Sequence, residues 1–218
     1  ILKTRIIAHQ QQVVRIDREN VEKVKGRHLA RMREYLKENI RDFDGIIIED
    51  YGKGVITPEL LKMAVPLARK HGKIVAVDPK ENHFSFYKGV SVITPNHHEA
   101  AIAAGFSLDG EEALNRAGAR LLSKLKAEVI LITLGEKGMR VFQKGKKPWS
   151  IPTLAQEVYD VSGAGDTVIA VYTLSVVSGA SPIMAAQMAN CAAGIVVGKI
   201  GVASIERKEL LARLKSET

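Results

Sequence analysis

The run Asp160-Val161-Ser162-Gly163-Ala164-Gly165-Asp166-Thr167 sets Ser-Gly-Ala-Gly directly ahead of one Asp. Behind it, Val168, Ile169, Val171, Tyr172 and Leu174 form an apolar stretch with helical spacing. A helix that starts here leaves the N–H groups of its first turn unpaired and pointing back into the Gly-rich loop. With the positive end of the helix dipole they make a place for an anion, such as a phosphoryl group in transfer. Gly163 and Gly165 allow tight turning and close approach to the backbone. Asp166 would stand beside that anion, able to accept a proton from an incoming hydroxyl, and phosphoryl transfer asks for such a carboxylate. The same residues also read as a purely structural turn, with an acid near the cap of a helix.

The elements that must carry this loop follow from periodicity. ILKTRIIAHQQQVVRID reads as two short strands whose Arg and Gln content suits an edge ribbon or flap. Within 19–40, Leu29, Met32, Leu36 and Ile40 recur at helical spacing. GIIIED (45–50), KIVAVDP (73–79), GVSVITPN (89–96) and AEVILITLGEKG (127–138) read as buried strands, the last closing in a Gly-containing turn. Thr57-Pro58 starts a helix that Gly72 stops after His71, and EEALNRAGARLLSKLK forms another. A hairpin is expected around Lys144-Gly145, then helices over 165–178 and 181–199 and a charged helix at the end. Strands alternating with helices imply an α/β fold with a largely parallel sheet. Ligands of such sheets bind beyond the carboxyl ends of the strands. Asp50, Asp78, Asn96 and Gly135 all fall at or just past such ends, so the polar chemistry gathers on one edge.

The 218 residues suit one large domain, or a domain lacking a piece, and 46% hydrophobic residues supply its core. Lys and Arg number 32 against 24 acids, a net charge of +8. The short basic clusters at 25–33 and 144–147 carry no interleaved aromatics, which argues against nucleic acid and for phosphorylated small molecules. No apolar run reaches the roughly 18 residues of a membrane span. ILKTRIIAHQQQ has no signal-peptide layout, and its lack of an initiator Met hints at an upstream part. The single Cys191 excludes an internal disulfide and a Cys-based metal site, so a reducing cytoplasm is the expected setting.

Four stretches in order resemble the PfkB (ribokinase-like) carbohydrate kinases: TPNHHEA (94–100), ITLGEKGM (132–139), DVSGAGDT (160–167) and ANCAAGIVVGKIG (189–201). The finer text QQQVVRID, EDYGKGVIT, VDPK, QEVYDVSGAGDTVI and GIVVGKIG is similar to the branch acting on D-glycero-β-D-manno-heptose 7-phosphate. That branch often forms the first half of a bifunctional ADP-heptose synthase; whether a cytidylyltransferase domain follows Thr218 is left open. The resemblance implies a ribokinase-like three-layer sandwich, with 1–18 as the remnant of a small β lid and 19–218 as the C-terminal two thirds of the kinase domain. It implies ATP-dependent phosphorylation of the anomeric hydroxyl to a 1,7-bisphosphate, on the route to the lipopolysaccharide core. The alternatives are another PfkB sugar or nucleoside kinase, or an inert nucleotide-binding module.

By position, the resemblance makes Asp166 the base and the backbone of Gly163, Ala164 and Gly165 the anion hole. Asn96 and Glu99 would organise Mg²⁺ and the ATP phosphates through water, although their spacing is equally a capping box. Thr133, Gly135 and Gly138 would lie along ATP and Asn190 near the adenine; a plain strand-to-hairpin turn and a helix residue bonded to a loop are the alternatives. Asp160 and Ser162 would contribute to a K⁺ site or only to a turn. Arg15 and Asp17, where the lid returns, would touch sugar or pair with each other, and Lys53 would meet a phosphate or solvent. His97 and His98 have no third ligand at a suitable spacing and are not read as metal ligands. Lid strands imply a homodimer. The family's opening strand and Gly-Gly sugar motif have no counterpart here, and the chain begins within what resembles the lid.

Overall fold

Strands β3 (Gly45–Glu49), β4 (Ile74–Asp78), β5 (Val92–Ile93) and β6 (Val129–Thr133) run parallel, and β7 (Met139–Gln143) and β8 (Trp149–Ile151) extend the sheet antiparallel. Chain order and spatial order coincide from β3 to β8. The structure is a computed structural model describing residues 2–8, 11–19, 21–155, 158–201 and 203–216. Ile1, His9, Gln10, Asn20, Gln156, Glu157, Val202, Glu217 and Thr218, which the sequence reading had assigned to the lid, the motifs or the domain, lie outside the described residues.

Strand alternation divides the core in two. Val75, Val77, Ile130 and Ile132 point to one face, under α2 (Pro58–Lys70), α3 (His97–Ala104) and α4 (Gly110–Leu125). Ala76, Val92, Val129 and Leu131 point to the other, under α5 (Ala164–Val177) and α6 (Pro182–Val197). Both faces are therefore apolar, which is why these strands read as continuous Val, Ile and Leu. Helix α1 (Gly26–Asn39) leans on α2, and α7 (Arg207–Ser216) leans on α6. The result is the ribokinase-like three-layer arrangement expected from the sequence.

The start of the chain forms a separate antiparallel ribbon of β1 (Leu2–Ala8) and β2 (Gln11–Arg18). Its apolar side chains, Ile6, Ile7, Val13 and Ile16 among them, are exposed. Two expectations needed correction. The helix read within 19–40 starts only at Gly26, because Val24 donates its amide to the Gly54 carbonyl at 2.8 Å and so is tied to the loop after β3. The strand read over 89–96 keeps a regular ladder only at Val92–Ile93; Pro95 has no N–H to continue it, and Asn96 resumes contact as a bridge to Thr133.

Candidate active site

Strand parity decides which acids meet. On β3, Ile46 and Ile48 pack into the α2 side of the core, which turns Ile47 and Glu49 toward α5. On β4 the same rule sends Asp78 to the α5 side, in register with Glu49. Asp166, in the first turn of α5, completes the group: one ligand oxygen from each of the three carboxylates lies within 4.8 Å of the others. Asp50, one residue beyond Glu49, takes the opposite side and is only 6% exposed. It accepts from the Tyr87 hydroxyl at 2.6 Å and the Gly52 amide at 2.8 Å, with His83 Nδ1 at 2.8 Å. Of the two acids that end β3, Glu49 belongs to the site and Asp50 holds the loop.

Crowding raises the acids. Burial, then the charges of Asp78 and Asp166, push Glu49 up to about 7. Burial also pushes Asp78 up to about 6, opposed by the Thr94 hydroxyl, which donates to it at 3.1 Å. Glu49 Oε2 is shielded from solvent and has no hydrogen-bond partner among the described residues. Hard oxygen donors with an orphaned oxygen fit a divalent cation such as Mg²⁺. A consequence can be measured. Glu49 is raised above its ordinary 4.5, so between that value and about 7 the folded chain keeps a proton that the unfolded chain has released. Stability therefore falls as pH rises through that window. Glu49→Gln should remove this slope, raising Tm at pH 8 by about 2–4 °C once partial exposure is discounted. It should leave Tm near pH 5 unchanged. Calorimetric melts at both pH values check this, and an equal rise at both would refute it.

Gly163 caps α5 with φ 82°, a left-handed conformation that favours Gly. The Ala164 amide closes the turn on the Val161 carbonyl at 3.2 Å, and Thr167 bonds to Gly163 at 3.0 Å. Among the described residues, the amides of Gly163, Gly165 and Asp166 find no such carbonyl. Of the amides expected to hold an anion, those of Gly163 and Gly165 are thus unclaimed by a described carbonyl, while that of Ala164 closes the turn. A Cβ on Gly165 would sit 3.8 Å from Asp78 Oδ2, an ordinary contact, so the Gly-rich turn lies directly against the acids.

Two cavities open on Gly165. One, of about 510 Å³, is lined by Thr133, Gly135, Gly138 and Asn190 with Met139, Val168 and Val197. The other, of about 900 Å³, has Asn96, His97, His98, Lys137 and Arg140 on its walls. The two cavities share Thr133, Gly135 and Gly165, with Asn96 on the wall of the larger one and Gly138 and Asn190 on that of the smaller. Asn190 is buried and donates to the Pro152 carbonyl at 2.7 Å, so it holds the loop that walls the smaller cavity. Asn96 and Glu99 form both bonds of a capping box, at 2.9 and 2.8 Å. Burial raises Glu99.

The remaining expected residues are engaged elsewhere. Ser162 donates its amide to Asp160 Oδ1 at 2.8 Å, a turn contact that holds this carboxyl below the usual range. Arg15 and Asp17 pair with each other at 3.0 Å on β2. Lys53 pairs with Glu19, just after the ribbon. His97 and His98 are exposed at the start of α3. Sequence reasoning missed Glu49 and Tyr51, and noted Asp78 only as a strand end. Parity along GIIIED and KIVAVD could have found both acids. Tyr51 carried no signal: its hydroxyl donates to Asp166 at 3.0 and 3.1 Å across 115 positions of sequence.

Residues 2–209 match the pfkB family carbohydrate kinase family. The chain is 44% identical over 215 residues to the bifunctional protein HldE of Desulfatibacillum aliphaticivorans, covering 99% of this chain and 44% of that protein. Against HldE of Geobacter sulfurreducens the identity is 42% over 212 residues, covering 97% and 43%. The chain thus spans less than half the length of these relatives. Among solved structures, Arabidopsis thaliana ribokinase with ribose and ATP superposes with TM-score 0.71 at 25% identity, covering 82% of this chain and 58% of that one. A putative sugar kinase from Clostridium perfringens superposes with TM-score 0.74 at 20% identity, covering 94% and 64%.

Proposed function

The chain belongs to the pfkB family of carbohydrate kinases, phosphotransferases with an alcohol group as acceptor, and on that premise we propose that it serves ATP-dependent phosphorylation of D-glycero-D-manno-heptose 7-phosphate at the anomeric hydroxyl. The observation that carries the chemistry is the exposed Asp166 carboxylate at the start of α5, beside amides that no carbonyl among the described residues claims. The HldE relatives and the heptose-branch text around the Gly-rich loop support the substrate, and a net charge of +8 suits an anionic sugar phosphate.

In this reading Asp166 orients the acceptor and takes its proton, and the Gly165 and Asp166 amides face the moving phosphoryl group. The smaller, largely apolar cavity takes the adenine, and the larger one takes the phosphates. Asn96, Glu99, Glu49 and Asp78 would hold Mg²⁺, in part through water, which supplies charge neutralisation of the transferring group. Apolar side chains exposed on both strands of the ribbon support a second copy's ribbon as their cover. The work belongs in the cytoplasm, where ATP and phosphosugars occur, and no helix among the described residues is long and apolar enough to cross a membrane.

ADP release measured across a panel of heptose 7-phosphate, fructose 1-phosphate, ribose and a nucleoside tests the substrate. We expect heptose 7-phosphate to give the highest kcat/KM by at least about tenfold. No preference for it would end that claim, and MgATP binding without any turnover would favour a nucleotide-binding module.

A further inference from the structure

We propose that Tyr51 gates Asp166: its hydroxyl occupies the acceptor's place on that carboxylate and keeps water from it until a sugar hydroxyl displaces it. The inference deepens the kinase reading and rests on it.

The geometry is that of an alcohol bound to the base. Tyr51 Oη lies 3.0 Å from one oxygen of Asp166 and 3.1 Å from the other, so a single hydroxyl spans the carboxylate. Among the described residues it is the only side-chain donor to Asp166. The rest of its loop is fixed independently. Asp50 is buried and tied to Tyr87, His83 and the Gly52 amide. Lys53 pairs with Glu19, and the Gly54 carbonyl accepts from Val24 at 2.8 Å. Gly54 itself has no room for a Cβ, which would lie 2.3 Å from the Glu22 carbonyl oxygen. Tyr51 thus hangs from a clamped frame, while the residue itself is 56% exposed and held through its bond to Asp166. A side-chain rotation releases it without moving the loop.

An exposed carboxylate beside an anion site has a hazard. Water on Asp166 could attack the γ-phosphorus: the new P–O bond goes to the water oxygen, the bond to ADP breaks, and Asp166 takes the proton. A phenol in that place cannot complete this reaction unless its oxygen reaches phosphorus, and it remains a neutral donor at physiological pH. Burial and the neighbouring Asp166 push it up to about 12. An acceptor sugar replaces one alcohol–carboxylate bond by another, so the exchange is close to balanced.

The test uses Tyr51→Phe in the full chain. ADP release without acceptor should rise about tenfold, and acceptor KM should fall by a similar factor, the gain lying in KM rather than kcat. Unchanged acceptor-free hydrolysis together with an unchanged KM would overturn the gate. A second measurement does not depend on turnover. The chain is labelled with 3-fluorotyrosine, and the Tyr51 ¹⁹F resonance is identified by its loss in Tyr51→Phe. That resonance should shift in Asp166→Asn and on saturation with acceptor. A resonance indifferent to Asp166→Asn overturns the gate even in an active enzyme. A resonance that answers to Asp166 in a chain showing no phosphotransfer to any sugar instead retains the contact and refutes the kinase reading.

Discussion

Asp166→Asn should abolish acceptor-dependent turnover while leaving MgATP affinity within about threefold. The expected loss is about 10²–10⁴-fold, the usual contribution of a positioned proton acceptor. Asn keeps the shape of the side chain and can still hydrogen-bond an alcohol, so the variant removes proton acceptance and little else. The larger cavity that would receive ATP is walled by α3, α4, β6 and β7 and the smaller by β6, β7, α5 and α6, and the Asp166 side chain lines neither. The fold should not suffer, because Asp166 adds to the repulsion that raises both Glu49 and Asp78. Steady-state ADP release, a calorimetric ATP titration and a thermal melt together check this. Turnover persisting above about one hundredth of the starting rate would remove Asp166 from the role of base.

Gly138→Ala should be the most damaging small substitution near the nucleotide. Gly138 has φ 81° and ψ −126°, a backbone conformation open essentially only to Gly. A Cβ there would lie 2.1 Å from the Ile151 carbonyl oxygen, 2.6 Å from the Thr153 amide nitrogen and 2.7 Å from the Pro152 carbonyl carbon. All three atoms are backbone, so no side chain can swing aside. Relief requires moving the end of β8, which the Asn190–Pro152 bond ties to α6 at the wall of the smaller cavity. We expect a loss of about 3 kcal/mol or more, a Tm lower by about 6–12 °C, and MgATP affinity down more than about tenfold. Gly135→Ala is the control: φ is 60°, but nothing lies within 4 Å of its Cβ, so only the backbone penalty of about 1 kcal/mol remains. Equal melts for the two variants would refute the argument.

Local grammar made most of the scaffold readable. Thr57-Pro58 and Ser181-Pro182 both start helices as the cap-then-Pro order predicts, and each cap oxygen accepts from an amide three residues on. The Gly-rich loop was legible as the start of a helix because apolar residues follow it at once. What remained hidden depends on pairing between distant segments. GIIIED ends in two acids, and only the knowledge that Ile46 and Ile48 face α2 separates Glu49, in the site, from Asp50, in the loop frame. Lys53 looked like a phosphate ligand or a solvated loop residue, since its partner Glu19 lies 34 positions away. The bond from the Ala164 amide to the Val161 carbonyl was equally hidden, because nothing in the run of Gly-rich residues reveals which of its amides the turn itself uses. Asn96 and Glu99 carried two readings from the start; the capping bonds are formed, and capping leaves the Asn96 side chain at the mouth of the larger cavity.

Strand register also selects which acid joins the cluster. Glu49 and Asp78 lie opposite each other on neighbouring parallel strands and share one face of the sheet. Because side chains alternate along a strand, a slip of β3 by one residue against β4 would turn Glu49 into the α2 side of the core and set Asp50 beside Asp78 instead. The ladder of backbone hydrogen bonds is thus the selector between a carboxylate of the cluster and one of the loop frame.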